Sequence, residues 1–230
     1  MDEDATPPAD DLDALVARVD PDRWLSSRLI AEAQDRADVI VLYAYDHELA
    51  RAPKVASNAL LGEIRLAWWR EVLDEAFGRG PVRRHPTAVA LADVIVRRGL
   101  PRAPLETMID ARYRQLDPEP LDGAEAVLLA RETAGAAARL AAQILGAPSE
   151  GDRAEAAGAL WALGRRQLAG EPPPPPELIR PVRTQARGLS VAAFPAGAHG
   201  ALARAYSRGR EPSPVGKRWR ITLAALLGRI

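Results

Sequence analysis

The 230-residue chain contains no cysteine, which excludes disulfides, thiolate metal sites and cysteine nucleophiles. It has no run of about 18 apolar residues, so a transmembrane helix is not expected. Met1 to Asp13 carries six acidic residues and no basic one, the reverse of a secretory leader, which makes the cytoplasm the expected compartment. Its three histidines, His47, His85 and His199, are far apart and fit no metal-binding spacing. There is no glycine-rich phosphate loop, and Gly78-Arg79-Gly80 reads only as a helix stop. Nucleophile-elbow patterns, alternating strand patterns and internal repeats are also lacking.

What is present is ordinary in amount and uneven in place. Lys and Arg total 31, as do Asp and Glu, so the formal net charge is zero, and 47% of the chain is hydrophobic. That composition fits a folded globular domain. Residues 171–230, however, hold ten basic side chains against three acidic ones. Such a basic end can meet an anionic surface or form a solvated face. Its only aromatics are Phe194, Tyr206 and Trp219, and it sits in no nucleic-acid module, so no nucleic acid is expected.

Helix signals dominate. Asp20-Pro21 reads as a cap followed by a first-turn proline. Further helices are predicted over 31–52, ending before Pro53, and over 57–77, with Gly78 just past the end. Others open at Pro86 and Pro104, run through the Ala-rich 122–145, and cover 151–169, 195–208 and 214–227. Five consecutive prolines make 171–176 an exposed polyproline connector. The expected architecture is an all-α, single-domain helical bundle over 20–230, preceded by an acidic mobile segment, 1–19. In the last helix, Lys217, Arg218 and Arg220 alternate with Trp219, Ile221, Leu223, Leu226, Leu227 and Ile230. This stripe can face an anionic membrane surface or the core, and burial is its commoner fate.

Two stretches are distinctive: Val41-Leu42-Tyr43-Ala44-Tyr45-Asp46-His47-Glu48-Leu49-Ala50-Arg51 and Leu61-Gly62-Glu63-Ile64-Arg65-Leu66-Ala67-Trp68-Trp69-Arg70-Glu71. With Ile109-Asp110-Ala111-Arg112 and Phe194-Pro195 they resemble the squalene/phytoene synthase family. The resemblance implies an isoprenoid synthase-like bundle with a central cavity. Active members are transferases that join two prenyl diphosphates head to head, using Mg2+ ions held by two Asp-rich motifs. Tyr43, Asp46, Ala50, Glu63, Trp68 and Trp69 are the ligand-cavity candidates that follow.

The sequence departs from the family pattern at the metal motifs. Where the first aspartates are expected stand Ala50, Arg51 and Lys54, and no carboxylate lies between Glu155 and Glu171, where the second motif belongs. No catalytic or metal-ligating residue is therefore assigned. Asp46, Glu48, Glu63, Asp74, Asp110 and Asp117 remain as acids, of a kind that more often forms helix-surface ion pairs. Arg51, Lys54 and Arg65 are candidates for binding an anion without metal. Lost Asp motifs together with Gly62-Glu63-Ile64-Arg65 and Trp68-Trp69-Arg70 resemble the branch that includes the mitochondrial complex I assembly factor and its bacterial relatives.

The expectation is a catalytically inactive binding or assembly factor, peripheral to the inner membrane, with a protein partner or an apolar isoprenoid-like ligand and no cofactor. The alternatives are an active prenyltransferase, for which Mg2+ would be needed, and an isoprenoid- or lipid-binding module.

Overall fold

The computed structural model describes residues 9–55, 59–78 and 80–229, with side chains from residue 12 onward except those of Lys54 and Val55. Among these residues every regular element is helical. The helices are α1 (Ala9–Val19), α2 (Pro21–Ser27), α3 (Ala33–Val55), α4 (Ala59–Gly78), α5 (Pro86–Arg98), α6 (Arg102–Tyr113), α7 (Gly123–Ala130), α8 (Ala136–Ile144), α9 (Gly151–Leu168), α10 (Pro176–Gln185), α11 (Phe194–Gly197), α12 (Ala203–Tyr206) and α13 (Pro214–Leu227).

Two helices organise the bundle. Val39 to Asp46 on α3 are all buried, so this helix has no solvent face along that stretch. α1, α2, α4, α5, α6 and α8 pack around it. α9 is the second axis, surrounded by α7, α8, α10, α11 and α12. Small residues make its close approaches possible. A Cβ at Gly158 would lie 2.6 Å from the Ala134 carbonyl oxygen, so any side chain there would push α9 off its neighbour.

Local chemistry sets most boundaries. Asp20 caps α2 by accepting a hydrogen bond from the Arg23 amide at 3.2 Å. Asp122 and Glu125 form a reciprocal capping box on α7. Ser213 caps α13, and Gly99 and Gly228 close α5 and α13 in left-handed conformations. The Ala-rich stretch beginning at Asp122 is helical but not uniform, because Arg131–Gly135 winds as a π segment between α7 and α8.

Several expectations need correction. The segment 1–19 is not wholly a mobile leader: residues 9–19 form α1, whose Leu12 and Val16 are buried in the core. Residues 1–8 lie outside the described residues. Pro53 does not stop its helix, since α3 runs on to Val55. Gly78 is the last helical residue of α4, not a left-handed residue beyond it. Residues 195–208 divide into α11, a 3-10 stretch (Ala198–Leu202) and α12.

The proline run is extended until Pro176 opens α10, and it is partly anchored. Pro174 is buried, and a Cβ at Gly123 would meet Pro175 Cδ at 2.4 Å. α13 differs most from expectation: Ile221 and Ala224 are buried, and so is Lys217, whereas Trp219, Leu223, Leu226 and Leu227 are exposed.

Candidate functional site

The place where α2, α3, α9 and the 3-10 stretch converge is polar, charged and sealed. Asp20, Asp22, Arg23, Asp46 and His199 are all buried there. Arg23 is the hub. Its Nε pairs with Asp20, and its Nη1 donates to Asp46 Oδ2 at 2.8 Å. The guanidinium lies over Tyr43 at 4.9 Å and over Trp161 at 5.0 Å. The other Asp46 oxygen accepts from Arg112 Nη2 at 2.6 Å, so one carboxylate joins α2, α3 and α6.

A second node forms on Asp22. Its Oδ2 accepts from Tyr206 Oη at 2.6 Å and Trp161 Nε1 at 2.9 Å. Its Oδ1 lies 3.0 Å from Lys217 Nζ, which also donates to Glu211 at 2.8 Å. Arg165 approaches Oδ2 at 3.5 Å from α9. This node ties α2 to α9, α12 and α13, which explains why Lys217 is buried.

The electrostatics are those of neutralised charge. Burial alone would raise the Asp46 pKa, but Arg112 and Arg23 outweigh it and hold that carboxyl below its ordinary value. Asp22 behaves likewise: burial opposes its charge, and hydrogen bonds from Tyr206, Trp161 and Lys217 overcome that opposition. Arg23 loses hydration but gains Asp20 and Asp46, so its pKa is raised above the ordinary value. His199 has no carboxylate bonded to it. Burial first, then the nearby Arg23 charge, push its pKa down to about 3.

His199 stands edge-on to Trp161 and Tyr43, at 5.2 and 6.3 Å. Neither its ring nitrogens nor the Tyr43 hydroxyl has a hydrogen-bond partner in the structure. Burial raises the Tyr43 pKa. At neutral pH His199 is neutral and Tyr43 protonated, and neither titrates near pH 7, where a general acid or base works best.

The predicted cavity residues separate. Tyr43 and Asp46 border Arg23. Trp68 and Trp69 instead form an aromatic cluster with His85 and Tyr45, with ring centroids 5.0 to 5.6 Å apart. Ala50 is half-buried, and Glu63 is exposed on α4. Among the anion-binding candidates, Arg51 pairs with Glu48 at 3.1 Å, Arg65 is exposed, and the Lys54 side chain lies outside the described residues. Asp74, Asp110 and Asp117 pair with Arg102, Arg70 and Arg114. Asp20, Asp22, Arg23, Trp161, Tyr206 and Lys217 were not among the candidates read from sequence. Asp20-Pro21 carries a cap signal that accounts for itself, and nothing local marks its neighbours as a charge hub.

These residues do not suit the Mg2+ that the family resemblance implies. Both Asp46 oxygens are already bonded to guanidinium groups, and α9 offers Trp161 and Arg165 to the centre rather than carboxylates. No group of three or more His, Asp and Glu among the described residues is arranged to hold a metal ion.

Helices in this order around such a centre define an all-helical bundle of the isoprenoid synthase kind. The chain belongs to the squalene/phytoene synthase family, whose sequence profile matches residues 16–165. It is 28% identical over 103 residues to NADH dehydrogenase (ubiquinone) complex I, assembly factor 6, of Bos taurus, and 27% identical over the same length to that of Homo sapiens. Each match covers 45% of this chain and 30% of the relative, so it spans under a third of those proteins. Among solved structures, squalene synthase HpnC of Alicyclobacillus acidocaldarius superposes with a TM-score of 0.59 at 15% identity. The match covers 96% of this chain and 94% of that one, and it establishes the shared fold.

Proposed function

We propose that the chain is a non-catalytic member of its family that acts as a binding factor in the assembly of a respiratory complex. The observation that carries this reading is the Arg23 guanidinium at the bundle centre. It is neutralised by Asp20 and Asp46 and enclosed by Tyr43 and Trp161. The carboxylates around this cation are saturated, Asp20 by Arg23 and Asp46 by Arg23 and Arg112, which leaves neither free to ligate the metal that diphosphate chemistry would need. The partial likeness to complex I assembly factor 6 supplies the process. The bundle itself would be the functional element, presenting a stable surface to a protein partner.

The test is direct. The purified chain is incubated with farnesyl or geranylgeranyl diphosphate and Mg2+, and released diphosphate is measured. No release above a protein-free blank is expected, and metal-dependent release would establish the prenyltransferase alternative instead. In the native host, deletion of the chain should reduce the assembled NADH dehydrogenase band on a native gel. An unchanged band would remove the assembly role.

A further inference from the structure

A second concave feature lies away from the buried centre. α9, α10, α12 and α13 enclose an open groove of about 680 Å³. Its apolar lining includes Leu160, Leu163, Ile179, Leu223 and Leu227. Six arginines line it as well: Arg183, Arg187, Arg204, Arg208, Arg220 and Arg229. All six are exposed, no carboxylate lines the groove, and none of the six is ion-paired among the described residues.

The adjoining face of α13 is apolar and uncovered. Val215, Trp219, Leu223 and Leu226 recur at helical spacing and are 75, 66, 40 and 78% exposed. The core-facing side of the same helix is held by Ile221, Ala224 and the Lys217–Asp22 pair, so its orientation is fixed. Leu223 belongs to both the stripe and the groove, and the exposed Leu227 beside Leu226 lines the groove, which makes the two features continuous. No helix among the described residues is long and apolar enough to cross a membrane.

We propose that α13 and this groove form a docking surface for an anionic phospholipid bilayer. Trp219, Leu223 and Leu226 would enter the boundary between headgroups and acyl chains, while the arginines, Arg204, Arg208 and Arg220 foremost, would bind lipid phosphates. Charge complementarity selects the occupant. Six uncompensated guanidinium groups beside an apolar stripe match a surface that is anionic above and greasy below. A neutral apolar protein partner would leave that charge unanswered. The inference does not rest on the proposed assembly role.

The full chain is centrifuged with vesicles of phosphatidylglycerol and phosphatidylcholine in equal parts, and with vesicles of phosphatidylcholine alone. Binding is expected to the first only and to weaken with added salt. Arg204→Ala with Arg208→Ala should lower the partition coefficient about 25-fold, at roughly fivefold per basic residue. Trp219→Ser should lower it with charge unchanged. The control pair Arg18→Ala with Arg153→Ala, outside the groove, should stay within about twofold of wild type by the same reasoning. Circular dichroism confirms that each variant is folded.

Equal binding to both vesicle types would overturn the proposal. So would an equal loss in the control pair, which would indicate net charge alone. A further overturning result is self-association in sedimentation equilibrium that Trp219→Ser abolishes, without vesicle binding, because the face would then serve a second copy of the chain.

Discussion

Arginine does two different jobs in two regions of this molecule. In α2, α5 and α6 it is spent internally: Arg23 and Arg112 share Asp46, while Arg97 and Arg98 share the buried Asp38 at 2.6 Å each. Around α10, α12 and α13 it is left over, with six guanidinium groups lining a groove that has no acid among its described residues. The chain is neutral overall, yet neutrality is achieved locally in one region and not in the other. A paired buried arginine joins helices and has little left to offer a ligand. An unpaired exposed one contributes little to the fold and remains free to bind. The polar centre therefore reads as structure and the groove as a contact surface.

Breaking the centre should produce the largest effect. Asp46→Asn would leave Arg23 and Arg112 buried against a neutral amide. Removing one partner of a buried ionic network costs about 3–5 kcal/mol. Asp110→Asn removes only an exposed partner of Arg70 and should cost less than about 1 kcal/mol. Urea unfolding of both variants at pH 7.5 measures the contrast, and similar values would erase the distinction between buried and exposed pairs. The sign with pH follows from the lowered Asp46 pKa. Its contribution is complete above the ordinary carboxylate value and is lost as pH falls through the depressed one.

His199 separates burial from pairing. Its ordinary pKa of 6.5 falls to about 3 in the folded chain. Below about pH 6.5 the unfolded chain takes up a proton that the folded chain refuses. Stability should then fall by about 1.4 kcal/mol per pH unit from this residue until its folded pKa is reached. His199→Phe keeps a flat ring against Trp161 and Tyr43 and cannot ionise. The difference between wild type and variant, followed by urea unfolding from pH 7 to 4.5, isolates the effect. His47 and His85, half-buried and also lowered by burial, are present in both proteins and cancel. Parallel stability curves would show that His199 gains a partner the structure does not reveal.

Helix identity was legible because its signals are local. Asp20-Pro21, Asp122 with Glu125, and Ser213-Pro214 each place a cap within four residues of the amide it serves. Loss of the metal motifs was legible for a similar reason, since Ala50 and Arg51 stand in a recognisable stretch. The polar centre was not. Trp161 and Tyr206 meet Asp22 across 139 and 184 residues, and no spacing rule spans such a distance. Lys217 shares the buried face of α13 with Ile221 and Ala224, but the carboxylate that neutralises it, Asp22, lies in α2, too far along the chain for any local pattern to connect them.

The smallest effect sharpens the other half of the comparison. If the groove arginines are surplus to folding, Arg204→Ala with Arg208→Ala should change unfolding free energy by no more than about 0.5 kcal/mol, as expected of exposed side chains without partners. Replacing them should even relieve some mutual repulsion among the six charges, so a slight gain at low ionic strength is the expected direction, fading as salt screens the groove. Thermal melts of the pair at low and high salt read this out. A loss of several kcal/mol would mean that these arginines hold α12 or α13 in place, and the division between internal and outward-facing arginine would fail at that point.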